Sequence, residues 1–400
     1  MPKGENSDVV GCGRVKRASV GLAAFVVLGL TLAACSSGGG SAGAGASSAK
    51  ATECPSSPAA GTPAGGAPSG AAAGRASIPV AKTVRASDTS TSTVIDPTGA
   101  QIRCGKTEIA THSDLVYSTP TTKGKKAVLK LDLQVPVTDG KKPLVVYLTG
   151  GGFVMADKSA NANQRTYVAE QGYAVASIEY RTVTSGATYK ESVQDVKSAI
   201  RYLRAHADEY GIDSANVAVW GQSAGGYLAA MTGTSHGVKA FEAGDHLDQS
   251  SEVQAVVDEF GASDLSRIAS DFDAATQKSY LAAGTSSARF VFGPDSKASL
   301  KDDPDAVAAA DPGTYADSSD PAFMLLHGSD DHLVSPSQTL TLHNTLRNKG
   351  VDSTRYVLKG ADHGDLAFMG GDPKSGLKWS TEEVMGDIVK FLDKHLGNGS

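Results

Sequence analysis

The sequence predicts an α/β domain built on a mostly parallel sheet with helices on both faces. Three observations carry that prediction. Short apolar runs alternate with helical patterns from Asp114 onward, and several runs are apolar throughout, as strands buried on both sides must be. One such run also turns through glycines, at a serine, into a helix-forming segment.

Four hundred residues suffice for one large domain with tails, and 40% hydrophobic with 20% charged residues is the balance of a globular protein. The net charge is −6, and the basic residues are scattered instead of forming the stripe that phosphate backbones require. Nucleic acid is therefore excluded as an expected partner.

The chain opens on an address. Lys3, Arg14, Lys16 and Arg17 precede an apolar run from Val20 to Leu32, which is short for a bilayer span, so residues 1–34 read as a signal peptide. Leu32-Ala33-Ala34-Cys35 resembles the bacterial lipobox, in which the cysteine becomes the first mature residue and carries lipid. Each buried methylene contributes about 0.8 kcal/mol, so a diacylated Cys35 would hold the protein on the outer face of a bacterial cell membrane. The alternative is an ordinary signal peptide with an incidental cysteine. No later segment reads as transmembrane. Cys12 would leave with the signal, and Cys54 and Cys104 remain as a candidate disulfide pair in an oxidising compartment, or else as free thiols.

Residues 35–75 are almost entirely Gly, Ala, Ser, Pro and Thr, too poor in apolar surface to offset the entropy of ordering, and read as a disordered tether. Residues 76–113 hold a few apolar positions without a sustained period and read as a poorly ordered approach. The folded domain is expected over 114–397. Its strand candidates are Val128 to Val135, Leu144 to Leu148, Ala174 to Ile178, Val217 to Trp220, Val253 to Val257, Ala322 to Leu326 and Thr354 to Leu358. Val193, Val196, Ile200 and Leu203 share one helical face, and Gly211 stands where a C-terminal cap is expected. No internal repeat marks a solenoid or propeller.

The chemistry centres on Gly221-Gln222-Ser223-Ala224-Gly225, which follows the run Val217 to Trp220 and precedes the helix former Tyr227-Leu228-Ala229-Ala230-Met231. This is a G-x-S-x-G elbow, in which small flanking residues permit the strained turn that exposes a nucleophilic serine. A hydroxyl needs a base, and the base an orienting carboxylate, in the chain order Ser, Asp, His. Asp330 and Asp331 both lie just past the strand Met324-Leu325-Leu326, at the carboxyl end that faces such a site. His363 sits on a glycine-flanked loop after Tyr356-Val357-Leu358, with His332 as its nearest rival. Thr149-Gly150-Gly151-Gly152-Phe153 follows the strand Leu144 to Leu148, so the N–H groups of Gly151 and Gly152, with that of Ala224, are the candidate oxyanion hole.

The glycine loop, Tyr180-Arg181, Gly211-Ile212-Asp213, the elbow with Gly226, Gly261-Ala262-Ser263-Asp264-Leu265, His327-Gly328 and His363-Gly364 are arranged as in hormone-sensitive-lipase-like esterases. Among these the chain is similar to the bacterial feruloyl-esterase-like and acetyl-esterase-like branch, over about Asp114 to Leu396. The resemblance implies an α/β-hydrolase fold with a small cap insertion, and ester hydrolysis through an acyl-enzyme without metal or organic cofactor. Its H-G-x-x-D spacing selects Asp331 over Asp330, which completes the triad Ser223, Asp331 and His363. One departure stands out: the family's H-G-G-G begins with His where this chain has Thr149.

Substrate choice is expected to reside between Gly237 and about Pro312, with Phe272, Tyr280, Phe290 and Phe292 as cap or core aromatics, while Phe153, Gln222 and Tyr227 are candidate pocket residues. The expected substrate is a small ester or an acylated polysaccharide. Two other readings share the fold. A prolyl-peptidase-like hydrolase would carry an N-terminal propeller, and a non-catalytic binding lipoprotein would have no need of all three triad groups.

Overall fold

The computed structural model describes residues 51–55, 79–364 and 372–397. The signal peptide, Cys35 and residues 36–50 and 56–75 of the expected tether lie outside them. In chain order the strands are β1 (Thr52–Glu53), β2 (Thr93–Ile95), β3 (Arg103–Cys104), β4 (Ile109–Ser118), β5 (Thr121–Thr122), β6 (Lys125–Lys126), β7 (Leu129–Pro136), β8 (Lys142–Leu148), β9 (Ala174–Ile178), β10 (Ile212–Gln222), β11 (Ala255–Glu259), β12 (Ala322–Gly328) and β13 (Ser353–Leu358). The helices are α1 (Ala162–Glu170), α2 (Tyr189–Ala205), α3 (Ala207–Tyr210), α4 (Ala224–Thr234), α5 (Ala274–Tyr280), α6 (Ser286–Phe292), α7 (Pro304–Ala308), α8 (Ser337–Asn348), α9 (Pro373–Leu377) and α10 (Glu382–Leu396).

Nine strands form one sheet in the order β2-β13-β12-β11-β10-β8-β9-β7-β4. Neighbours from β2 to β9 are parallel, and β7 is antiparallel to both β9 and β4. Alternation along the strands divides the core between the two faces. Leu144, Val146 and Leu148 of β8 pack with Val193, Val196 and Ile200 of α2 and with Leu228 and Met231 of α4. Val145 and Tyr147 pack on the other face, with Val168 of α1 and with Ile388 and Leu392 of α10. Each such fully buried aliphatic side chain contributes about 1.5–3 kcal/mol, and covering both faces is why the central strands are apolar throughout.

Four expectations need correction. Residues 79–113 are part of the fold: β2 pairs in parallel with β13, Ala81 N–H donates to the His332 carbonyl at 2.9 Å, and Ile102 is buried against the α10 face. The domain therefore begins before 114, and β4 runs across that boundary. The tether is likewise not wholly structureless, because β1 pairs with β3 and Cys54 is bonded to Cys104. Finally, Gly237 to Pro312 is not one insertion, since it contains the core strand β11; the inserted helices α5, α6 and α7 lie between β11 and β12. Gly211, at φ 67°, caps the short α3 and not α2, which ends six residues earlier.

Candidate active site

Ser223 occupies the turn from β10 into α4 with φ 56° and ψ −119°, a strained conformation for a non-glycine residue. Two glycines make the turn feasible. A Cβ on Gly225 would stand 2.0 Å from the Leu148 carbonyl oxygen, and one on Gly221 would stand 2.2 Å from that of Gly225. The ends of β8 and β10 and the start of α4 are thus pressed together by backbone alone. The Ser223 N–H donates to the Glu259 carbonyl at 2.9 Å, which ties the turn to β11.

Three crossovers bring the candidate triad together. His363, on the loop after β13, places Nε2 2.7 Å from Ser223 Oγ and Nδ1 2.7 Å from Asp331 Oδ2. Asp331, past the end of β12, is fully buried and accepts at Oδ1 from the N–H groups of Leu333 and Val334, both at 2.8 Å. His327 Nε2 lies 3.1 Å from Asp331 Oδ2. Burial alone would raise this carboxyl, but the His363 charge and the His327 bond outweigh it and hold the group well below the usual carboxylate range. The rivals lie elsewhere: Asp330 is exposed and bonded to the Ser329 hydroxyl, and His332 pairs with Asp362 at 2.9 Å.

The glycine loop adjoins this group. A Cβ on Gly150 would lie 3.2 Å from Ser223 Cβ, and one on Gly151, at φ 156°, would lie 2.3 Å from the Met155 carbonyl oxygen. Among the described residues the N–H groups of Gly151 and Gly152 donate no hydrogen bond. Ala224 opens α4, where the first N–H groups have no intrahelical acceptor and the dipole favours negative charge. Thr149 is fully buried: Tyr180 O–H donates to its carbonyl at 2.6 Å, while its own hydroxyl has no partner.

The expected pocket residues turn out differently. Tyr227 is wholly buried, with its hydroxyl donating to the Ala310 carbonyl at 2.5 Å, so it supports the elbow from behind and lines no open surface. Gln222 is committed to a buried network: it accepts from Asn161 at 2.6 Å and donates to Gln164 at 2.8 Å and to Glu259. Phe153 stacks on Phe290 of α6 at 4.2 Å, which joins the glycine loop to the inserted helices. Phe272, Tyr280 and Phe290 are core residues, whereas Phe292 lines a cleft of about 390 Å³ with Thr121, Thr188 and Glu191.

Sequence reasoning missed the supports beneath the triad. Gln164 donates to the Trp379 carbonyl at 3.0 Å, and Trp379 Nε1 donates to the Asp362 carbonyl at 2.9 Å. Asp362 Oδ1 accepts the N–H groups of His332 at 3.0 Å and His363 at 2.7 Å. This chain of bonds links the Gln222 side to the His363 side of the site. Its only sequence signal is the density of polar residues beside apolar strand ends, in His327-Gly328-Ser329-Asp330-Asp331-His332 and Ala361-Asp362-His363.

The family model described as BD-FAE matches residues 131–346. The isoprenylcysteine alpha-carbonyl methylesterase ICME of Arabidopsis thaliana is 26% identical over 274 residues, 68% of this chain and 60% of that protein. The esterase LipQ of Mycobacterium tuberculosis is 27% identical over 259 residues, 64% of this chain and 58% of that protein. The chain thus spans about half to three fifths of the length of the curated relatives it matches. Among solved structures, a truncated carbohydrate esterase from gut microbiota superposes with a TM-score of 0.59 at 24% identity, covering 76% of this chain and 99% of that one. The fold is that of the α/β-hydrolases.

Proposed function

The chain belongs to the BD-FAE family, and from that premise we propose that it hydrolyses carboxylic esters through a serine acyl-enzyme. The observation that carries this reading is the continuous path from Ser223 Oγ through both nitrogens of His363 to Asp331 Oδ2, each step 2.7 Å. His363 Nε2 takes the hydroxyl proton as Ser223 Oγ bonds to the ester carbonyl carbon. Asp331, ionised and buried, steadies the imidazolium that forms. The N–H groups of Gly151, Gly152 and Ala224 hold the oxyanion, a contribution of about 3–4 kcal/mol for one well-placed donor. Collapse of the tetrahedral intermediate expels the alcohol with the proton from Nε2. Water, deprotonated by the same nitrogen, then cleaves the acyl-enzyme and returns Ser223 to its starting state.

The substrate is an ester outside the cell, either a small molecule or an acylated polysaccharide. The names of the relatives support esters in general, and that of the carbohydrate esterase supports the second class. The lipobox-like Cys35 supports attachment to the outer face of a bacterial membrane, with residues 36–51 as the leash, since the chain is tied to the domain again at Thr52–Cys54.

Hydrolysis of p-nitrophenyl acetate, butyrate and octanoate by the wild type and by Ser223→Ala tests the proposal. Loss of a triad member costs up to about a million-fold in turnover, so the variant should be inert and should escape labelling by a fluorophosphonate. A variant that kept its turnover would sink the reading.

A further inference from the structure

At the far end of α4 from Ser223, His236 meets the loop that leads into β12. His236, Asp317 and Asp320 each present a donor atom there, all within 4.8 Å of one another. Ser319 sits between two of them. Its hydroxyl lies 2.6 Å from Asp317 Oδ1 and 2.9 Å from His236 Nε2. A carboxylate only accepts, so the single hydroxyl proton goes to Asp317, and Ser319 Oγ accepts from the Nε2–H of His236. In a neutral imidazole that leaves Nδ1 as a bare lone pair, aimed at Asp320 Oδ1 3.3 Å away.

Nδ1 of His236 and Oδ1 of Asp320 are both buried and neither makes a hydrogen bond. The Asp320 side chain has no exposed surface, and its other oxygen is already taken by the Asp317 N–H at 3.0 Å. With Nδ1 unprotonated the two atoms are acceptors held face to face, which repel unless a proton or a metal ion lies between them, and an unsatisfied buried polar atom costs about 1–3 kcal/mol. The spacing is long for a proton bridge and fits a metal ion. An N–H···O bond favours about 2.7–3.2 Å with good alignment, whereas two ligands each about 2.0–2.1 Å from a tetrahedral zinc ion stand about 3.3 Å apart. One imidazole with two carboxylates suits a borderline transition metal better than calcium or magnesium, which prefer oxygen. Ser319 is then the outer partner that fixes the tautomer of a metal-binding histidine.

We propose that His236, Asp317 and Asp320 form a structural site for a divalent transition-metal ion, zinc in the first instance, with water completing its coordination. The ion joins the C-terminal end of α4 to the entrance of β12. The opposite ends of those two elements carry Ser223 and lead to Asp331, so the ion clamps the scaffold without taking part in the chemistry. Such a site stabilises the folded chain by mass action.

The test uses the full chain, stripped by chelation, reloaded with zinc chloride and desalted. One zinc should remain per chain, and the thermal midpoint should rise by several degrees over the stripped protein. His236→Gln and Asp317→Asn should each abolish both retention and the zinc-induced rise, while melting cooperatively near the stripped wild type. Asp317 is exposed, so its variant keeps the test meaningful if His236→Gln misfolds. A wild type that retains no zinc, or variants that retain as much as the wild type, would overturn the site and leave a proton bridging His236 and Asp320.

Discussion

Glu259 works at two levels within one residue. Its carbonyl fixes the Ser223 amide, and its buried carboxyl accepts from the Gln222 amide directly beneath the elbow. Burial pushes that carboxyl up to about 8, more than the Gln222 bond can offset, and pushes the adjacent Asp258 up to about 7. The sign follows from linkage. An unfolded Glu titrates near about 4.3, so the proton held in the fold contributes its full stability below that pH and loses it as the pH rises through the folded value. Glu259→Gln, which mimics the protonated acid, should therefore match the wild type in thermal midpoint near pH 4 and exceed it increasingly up to about pH 8. A difference that stayed flat over that range would mean that Glu259 does not titrate there. Asp331 acts in the opposite sense. Its depressed carboxyl stabilises the fold above the ordinary carboxylate range and withdraws that contribution in acid, so the two groups bound the stable window from opposite sides.

Among the elements, the core strands and the elbow were legible because their signal is local. An apolar run of the right length, ended by glycine, is visible in a window of ten residues, and the predicted strand Ala174 to Ile178 coincides with β9. The N-terminal pieces were not legible. β2 has three residues and β1 two, and each exists only because its backbone pairs with a distant strand, β13 and β3 respectively. No periodicity announces such a partner. The same limit explains Tyr227 and Gln222: chain proximity to Ser223 suggests a pocket, but the direction of a side chain at a strained turn is set by packing on three sides. The candidate triad was readable since its order along the chain is constrained by chemistry, while its supports, such as Asp362 and Gln164, carry no constraint of order. The bond between Cys54 and Cys104 spans 50 residues of sequence, and closing a loop of that size is worth about 4 kcal/mol on the chain-entropy model. Replacing both cysteines with serine should accordingly lower the thermal midpoint by about 5–10 °C while leaving ester turnover at 25 °C within twofold. An unchanged midpoint would show that the clasp contributes nothing to the fold.

For the molecule as a whole, the candidate site belongs to no single element. Ser223 follows β10, Asp331 follows β12 and His363 follows β13, so the 2.7 Å contacts among them require three parallel strands in register at once. The two tryptophans of the chain report on that assembly from either side. Trp220 is fully buried on β10 three residues before the nucleophile, and Trp379 is buried with its indole N–H donating to the carbonyl of Asp362, next to His363. Two-state unfolding makes all probes change together. In a urea titration, therefore, the loss of turnover and the red shift of tryptophan fluorescence should share one midpoint. Activity that vanished at a lower urea concentration than the fluorescence change would show that the loop bearing His363 opens as a separate unit, and that Trp379 and Asp362 do not bind it to the core.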